Sequence, residues 1–265
     1  MGAFEVMNLT RQGECEKHGA FDESGMTLPF GSKRTIWSGC PTCCAEQREA
    51  EEKRRAADEE RDRQARVEQR LSRAGIPQRF RSRTFDNFIA DTDEKHEALS
   101  TSVEFASNFD EHRARGTTVI FSGKPGTGKS HLAIAVAMAI MQNGTAIYIN
   151  ALDMVRMVRD TWRRDSELSE INVLHDLSTV SLLVIDEIGV QYGTEGEQVI
   201  LFDVINRRYR DLMPTILLTN LGKAGMKEFL GERSFDRLRE GGIWVAFDWE
   251  SFRGSKKTAI TKEAP

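Results

Sequence analysis

The chain of 265 residues is short of cysteine, of uninterrupted apolar sequence and of net charge, and each shortage removes a class of protein. Its 4 cysteines all precede residue 45, too few and too clustered for a disulfide framework. The longest apolar run, Leu132 to Met141, is ten residues, whereas a membrane span needs roughly 18 or more. No transmembrane helix is expected. The first residues, MGAFEVMNLT, carry no cationic stretch followed by an apolar one, and Val6 stands where a myristoylation signal requires Ser or Thr. The chain therefore reads as cytoplasmic. Lys plus Arg total 37 against 41 Asp plus Glu, so bulk charge advertises neither nucleic acid nor a membrane surface, and any basic patch must be local.

What is present falls into three stretches. Residues 1–44 hold every cysteine and almost no periodic apolar pattern, so burial alone cannot stabilise them. Between Ala45 and Arg73, 18 of 29 residues are charged, nine of each sign, without Gly or Pro. Acid precedes base by four residues at Glu49/Lys53, Glu51/Arg55, Glu59/Arg63 and Asp62/Arg66, each pair supporting a helix by about 0.2–0.5 kcal/mol. A helix solvated nearly all round is a spacer or a partner-binding arm, and Gly75 with Pro77 ends it. The expected organisation is a cysteine-bearing module (1–44), a charged linker helix (45–75) and a larger domain (76–265). In the last stretch TTVIFS, TAIYIN, LLVIDE, TILLTN and IWVAFDW alternate with helical segments. Near-continuous apolar strands in that alternation imply an α/β fold, a mostly parallel sheet covered by helices on both faces.

Gly123-Lys124-Pro125-Gly126-Thr127-Gly128-Lys129-Ser130 fits G-x-x-x-x-G-K-[ST] and lies between an apolar strand and a helix, the context a phosphate-binding loop requires. Gly126 and Gly128 let successive backbone N–H groups curl round a phosphate, and the helix dipole adds to the attraction. Gly123, Pro125, Gly126, Thr127, Gly128, Lys129, Ser130 and the adjoining His131 are thus candidate ATP-binding residues. Lys129 neutralises the β and γ phosphates, and the Ser130 hydroxyl ligates Mg²⁺. LLVI runs into Asp186-Glu187 at the C-terminal end of its strand, where α/β sheets bind ligands. Asp186 suits Mg²⁺, and Glu187 suits the general base that polarises the attacking water. Asn220, ending TILLTN, reaches the γ phosphate or the lytic water if its strand neighbours both motif strands.

Cys15-x-x-His18 and Cys40-x-x-Cys43 are two ligand pairs separated by 21 residues, a set that suits tetrahedral Zn²⁺ with no open position. Cys44 is an alternative to Cys43. The site reads as structural, supplying stability that residues 1–44 lack.

LSRAGIP with TFDNF, FSGKPGTGKSHLA, LLVIDEIGVQ, LLTN, LGERSFDRLREGG and IWVAFDWESFR together resemble the DnaC-type replicative helicase loaders, an initiator branch of the AAA+ ATPases, from about Leu71 to Arg253. That resemblance implies an ATPase that binds a hexameric replicative helicase (DnaB-type), holds its ring open around single-stranded DNA and departs after hydrolysis. It also implies an arginine finger at Arg237, with Arg233 the near alternative, acting on a neighbouring protomer and so requiring self-association. Arg253 resembles the second sensor arginine. Arg156, Arg159 and Arg163 recur at helical spacing with Trp162 beside them, where the resemblance places a DNA-facing insertion; the other reading buries Trp162 in the core. Few residues follow Trp249, so no C-terminal helical lid is expected. Two rivals remain: an IstB-like transposition ATPase on duplex DNA, and a zinc adaptor for which ATP is only structural.

Overall fold

A computed structural model describes residues 8–27, 35–189 and 195–252. The chain divides into two compact units, Met1–Glu68 and Gln69–Pro265.

In the first unit, β1 (Asn8–Cys15), β2 (Gly19–Thr27) and β3 (Thr35–Trp37) form an antiparallel sheet in sequence order. These strands have no alternating apolar signature because glycine replaces the partner under each large ring. A Cβ on Gly13 would lie 2.9 Å from the Phe21 ring, and one on Gly25 2.9 Å from the Trp37 ring. Helix α1 (Pro41–Arg73) follows. Proline suits its first position because the missing N–H has no helical partner there. The helix thus begins before Ala45 and carries Cys43 in its first turn. Glu49 and Lys53 pair at 2.6 Å; the side chains of Arg63 and Arg66 lie outside the described residues. Gly75 ends the helix in the left-handed region, at φ +71. Its N–H reaches Ser72 O at 3.0 Å and the Ile76 N–H reaches Leu71 O at 3.1 Å, the paired bonds of a Schellman cap. Leu71 and Ile76 are both buried, which adds the apolar contact that such a cap favours.

In the second unit, α2 (Asp93–Ser107) and α3 (Phe109–Arg115) precede β4 (Thr118–Gly123) and α4 (Lys129–Ile140). Next come β5 (Ala146–Asn150), α5 (Ala151–Asp160), α6 (Glu170–Thr179) and β6 (Leu182–Ile188). Then follow α7 (Glu195–Arg210), β7 (Thr215–Thr219), α8 (Lys223–Leu230), α9 (Glu232–Glu240) and β8 (Gly242–Phe247). The sheet order is β5-β6-β7-β4-β8, every pair parallel. Alternate strand residues serve opposite cores. Val119, Phe121, Val184 and Leu218 pack with α2 and α4, while Ile120, Ile185 and Leu217 pack with α5 to α9. This is the α/β architecture expected from the strand–helix alternation.

Arg208, at the end of α7, is 0% exposed. Its guanidinium donates to Leu177 O at 2.9 Å, Val180 O at 3.0 Å, Pro214 O at 2.5 Å and Thr215 Oγ1 at 2.9 Å. Burial pushes its pKa down to about 9, which still leaves a cation at neutral pH, solvated by carbonyls that end α6 and precede β7. Arg208→Met should leave the Leu177 and Val180 carbonyls unpaired in a dry interior, at about 1–3 kcal/mol each less relaxation, while Pro214 O keeps the Leu183 N–H at 3.4 Å. The expected loss is about 3 kcal/mol or more in urea denaturation; a loss under about 1 kcal/mol would show that the carbonyls find other donors.

Candidate functional site

Strand order brings the motifs together. β7 pairs with β4 on one side and β6 on the other, so the C-terminal ends of all three strands share one edge. Gly128 caps α4 at φ +104, and a Cβ there would lie 2.7 Å from the Phe88 ring, so glycine alone fits the turn. The Lys129 ammonium donates to Gly123 O at 2.6 Å, Lys124 O at 2.7 Å and Asn220 Oδ1 at 3.0 Å. Ser130 Oγ donates to Asp186 Oδ2 at 2.9 Å. Pro125, Gly126, Thr127, Gly128, Lys129, Ser130, His131, Asp186, Glu187 and Asn220 line one cavity of about 560 Å³, and Gly123 supports it from the end of β4. The two acidic residues and the loop therefore converge.

The remaining lining is mixed: Phe80, Phe88, Ile89, Trp249 and Phe252 stand among polar and charged groups that include Arg83, Asp91 and Lys95. Trp249 Nε1 donates to Thr127 O at 2.8 Å and the Phe252 N–H to Gly126 O at 3.0 Å, pinning the loop from outside. Burial pushes the His131 pKa below its ordinary value, so the ring is neutral at neutral pH. Its Nε2 lies 2.8 Å from Thr84 O, and the ring meets Phe88 edge-on at 5.3 Å.

The acidic pair sits on a bulge. The β6–β7 register shifts between Ile185 and Ile188, and Glu187 takes φ +60, a left-handed conformation that costs a side-chain-bearing residue about 1 kcal/mol or more. The bulge lets Asp186 face Ser130 while Glu187 meets Asn150, whose Nδ2 donates to Glu187 Oε2. Asn150 Oδ1 also caps α5, accepting the Leu152 N–H at 2.9 Å. The Tyr148 hydroxyl donates to Asp186 Oδ2. Burial, with Asp186 beside it, pushes the Tyr148 pKa upward and keeps the phenol protonated. Sequence reasoning passed over Tyr148 and Asn150, although their signal was present: polar groups two residues apart ending the strand beside LLVIDE.

Other expected residues lie elsewhere. Arg237 and Arg233 are exposed on α9 and do not line the cavity. Arg237 is held by Asn206 Oδ1 at 2.8 Å and lies 5.8 Å from the Tyr209 ring centroid. Arg253 lies outside the described residues, as does any segment that would bear on a lid. Arg156 and Arg159 are exposed on α5, but that helix stops at Asp160, so Arg163 and Trp162 occupy the following turns rather than the same helical face. The chain tightens there to bonds spanning three residues, from the Thr161, Trp162 and Arg163 N–H groups to Val158 O, Arg159 O and Asp160 O, and Thr161 Oγ1 also donates to Val158 O at 2.6 Å. Trp162 is 57% exposed, so it is not a core residue, and its Nε1 donates to Glu170 Oε2 at 2.6 Å. Arg156 pairs with Asp153 at 3.2 Å and Arg163 with Asp165 at 3.4 Å.

In the first unit, the ligand atoms of Cys15, His18, Cys40 and Cys43 all lie within 4.8 Å of one another. Cys15 Sγ is 3.5 Å from Cys43 Sγ, and His18 Nδ1 is 3.3 Å from Cys43 Sγ and 3.6 Å from Cys40 Sγ. A tetrahedron with metal–sulfur bonds of about 2.3 Å has sulfur–sulfur edges of about 3.8 Å, so the four groups fit one ion. Backbone N–H groups of Lys17 and His18 hold the Cys15 thiol below its ordinary value, and that of Cys43 does the same for Cys40. Cys43 is pushed up to about 11, first by its hydrogen bond with Cys15, a crowding of sulfurs that a cation relieves. Cys44 is outside the cluster.

A parallel sheet in this order, with a phosphate-binding loop after β4, a carboxylate pair ending β6 and a polar residue after β7, defines an ATPase of the AAA+ type. The family model for IstB-like ATP binding proteins matches residues 52–258. A replicative helicase loader DnaC from Buchnera aphidicola subsp. Acyrthosiphon pisum is 40% identical over 185 residues, covering 69% of this chain and 74% of that protein. The replicative helicase loader DnaC of Escherichia coli K12 is 39% identical over 202 residues, 76% of this chain and 81% of that protein. A crystal structure of a DnaC helicase loader superimposes with a TM-score of 0.58 at 23% identity, covering 64% of this chain and 99% of that one. The chain belongs to the IstB-like ATP-binding family, in its branch of DnaC-type replicative helicase loaders. Among the described residues no helix is long and apolar enough to cross a membrane.

Elemental analysis of the purified protein should give one bound metal ion per chain. Cys43→Ser should release it and Cys44→Ser should retain it; retention in Cys43→Ser would refute the assigned ligand set.

Proposed function

We propose that the chain loads a hexameric replicative helicase of the DnaB type onto single-stranded DNA at replication initiation in the cytoplasm, with ATP hydrolysis timing its departure. The observation that carries this reading is the meeting of Lys129 with Asn220 and of Ser130 with Asp186 at one cavity, in a chain 39% identical to a named helicase loader. In this reading Lys129 and the backbone N–H groups of Gly126 to His131 bind the phosphates, with Gly123 and Pro125 shaping the loop. Ser130 and Asp186 are hard oxygen donors 2.9 Å apart that would hold Mg²⁺, which would supply neutralisation of phosphate charge. Glu187 takes the proton of the attacking water, with Asn150 orienting its carboxylate, and Asn220 positions that water or the γ phosphate. Arg237 or Arg233 completes the site of a neighbouring protomer, consistent with their distance from this chain's own cavity. Arg253 acts as the second sensor.

Arg156, Arg159, Arg163 and Trp162 form the DNA-facing surface. The exposed ion pairs of Arg156 and Arg163 are worth about 0–1 kcal/mol each, so DNA phosphates can displace the aspartates, and the exposed indole offers a stacking face. Zn²⁺ at Cys15, His18, Cys40 and Cys43 ties the β1–β2 turn to the start of α1, and the zinc-binding module 1–44 with its charged helix 45–75 grips the helicase while residues 76–265 hydrolyse ATP.

Glu187→Gln should lower phosphate release at least a hundredfold, the scale of a lost general base, while ATP affinity stays within about threefold. Equal turnover would remove Glu187 from that role. The IstB-like family match favours a second reading, a duplex-binding ATPase of transposition. Pull-down with the cognate hexameric helicase separates them: a complex is expected, and no complex together with preference for duplex over single-stranded DNA would select the second reading.

A further inference from the structure

We infer that Tyr148 is a positioning residue of the ATP site, holding the Asp186 carboxylate in the orientation that receives the cation. The inference rests on the Mg²⁺-dependent ATPase reading and adds to it a residue outside the phosphate-binding loop and the acidic pair.

A carboxylate offers about four lone-pair sites. On Asp186, donors among the described residues take three. Oδ2 accepts from Ser130 Oγ at 2.9 Å and from the Tyr148 hydroxyl, and Oδ1 accepts from the Glu187 N–H at 2.7 Å. One site remains, and the cavity is the side on which a cation or its bound water can approach. Of the other two donors, Ser130 Oγ would also serve the cation, and the Glu187 N–H belongs to a bulged residue with φ +60. The phenol, which also lies within reach of the Ser130 hydroxyl, is the donor anchored in the apolar core.

Its own position is fixed at both ends. The Tyr148 ring is 9% exposed in the core against α4, among residues such as Leu132 and Val184. Its backbone N–H, on the edge of β5 not paired with β6, donates to Ala74 O at 2.7 Å. Gly75 permits that approach, since a Cβ there would lie 2.4 Å from Tyr148 O. A tyrosine held by core packing and by the incoming chain cannot follow Asp186 if the carboxylate turns, so it sets the direction in which that carboxylate points. A phenol that merely satisfied itself against the nearest acceptor would leave the cation requirement untouched.

The test is a Mg²⁺ titration of the binding of a fluorescent non-hydrolysable ATP analogue to the full-length protein, read by anisotropy. Tyr148→Phe keeps the ring and removes the donor. It should raise the Mg²⁺ midpoint roughly tenfold, the scale at which groups behind a metal ligand act, while binding in EDTA stays as in the parent. A midpoint within twofold of the parent would overturn the inference and leave the ATPase reading intact. A parent protein that binds no nucleotide, or binds it identically with and without Mg²⁺, would instead overturn the reading beneath it. Should Tyr148→Phe fail to fold, 3-fluorotyrosine placed at position 148 keeps the question open to measurement. Its ¹⁹F resonance should shift when Mg²⁺ is added to the nucleotide complex, and an unmoved resonance would refute the inference.

Discussion

The Ser130 hydroxyl, on the helix after β4, and the Asp186 carboxylate, on β6, meet at 2.9 Å although β4 and β6 are not neighbours, and the rest of the second unit is arranged around that meeting. β7 lies between β4 and β6, so the two motifs can touch only if all three strands run parallel and end together. Parallel pairing demands crossover helices on both faces, and these in turn demand strands that are apolar on both sides. Leu182 to Ile185 satisfy that demand, each 0% exposed. The apolar run and the acidic pair that follows it are thus one device: burial fixes the strand, and the first residues beyond the buried stretch reach the crevice.

Local geometry positions the charged groups of the site. The Lys129 ammonium donates to two main-chain carbonyls and to the Asn220 amide oxygen, which hold it at the mouth of the phosphate loop. Glu187 is placed by a left-handed bulge, a small strain that separates its carboxylate from that of Asp186 and turns it to Asn150. Asn150 also caps α5, so the helix that carries Arg156 and Arg159 begins at the residue that touches the general base candidate. Arg208 performs a comparable task in the interior, where carbonyls rather than carboxylates solvate a buried cation.

The two units are stabilised by different physics. The second has two continuous apolar cores on the faces of its sheet. The first has a polar antiparallel sheet whose large rings lie on glycines, and a Cys₃His cluster that joins the β1–β2 turn to the start of α1. Pro41 starts that helix between two residues of the cluster, so that Cys43 in the first turn belongs to it while Cys44, one residue round the helix, does not.

Much of the ATPase was legible in the chain because its signals are local. The glycine spacing of 123–130, the four apolar residues before Asp186 and the strand–helix alternation each follow from short-range sterics and burial, so α/β class and the phosphate loop could be read directly. The sheet of the first unit was not legible, since Gly13 and Gly25 under aromatic rings erase the period-two pattern. Nor was the end of α5, where Thr161 and the turns after Asp160 displace Arg163 from the face of Arg156. Local sequence settled which groups could bind a nucleotide or a metal. Tertiary structure alone chose Cys43 over Cys44, brought Asn220 to Lys129, and set Tyr148 and Asn150 against the acidic pair. Those contacts join residues tens of positions apart, and only strand order and register determine such distances.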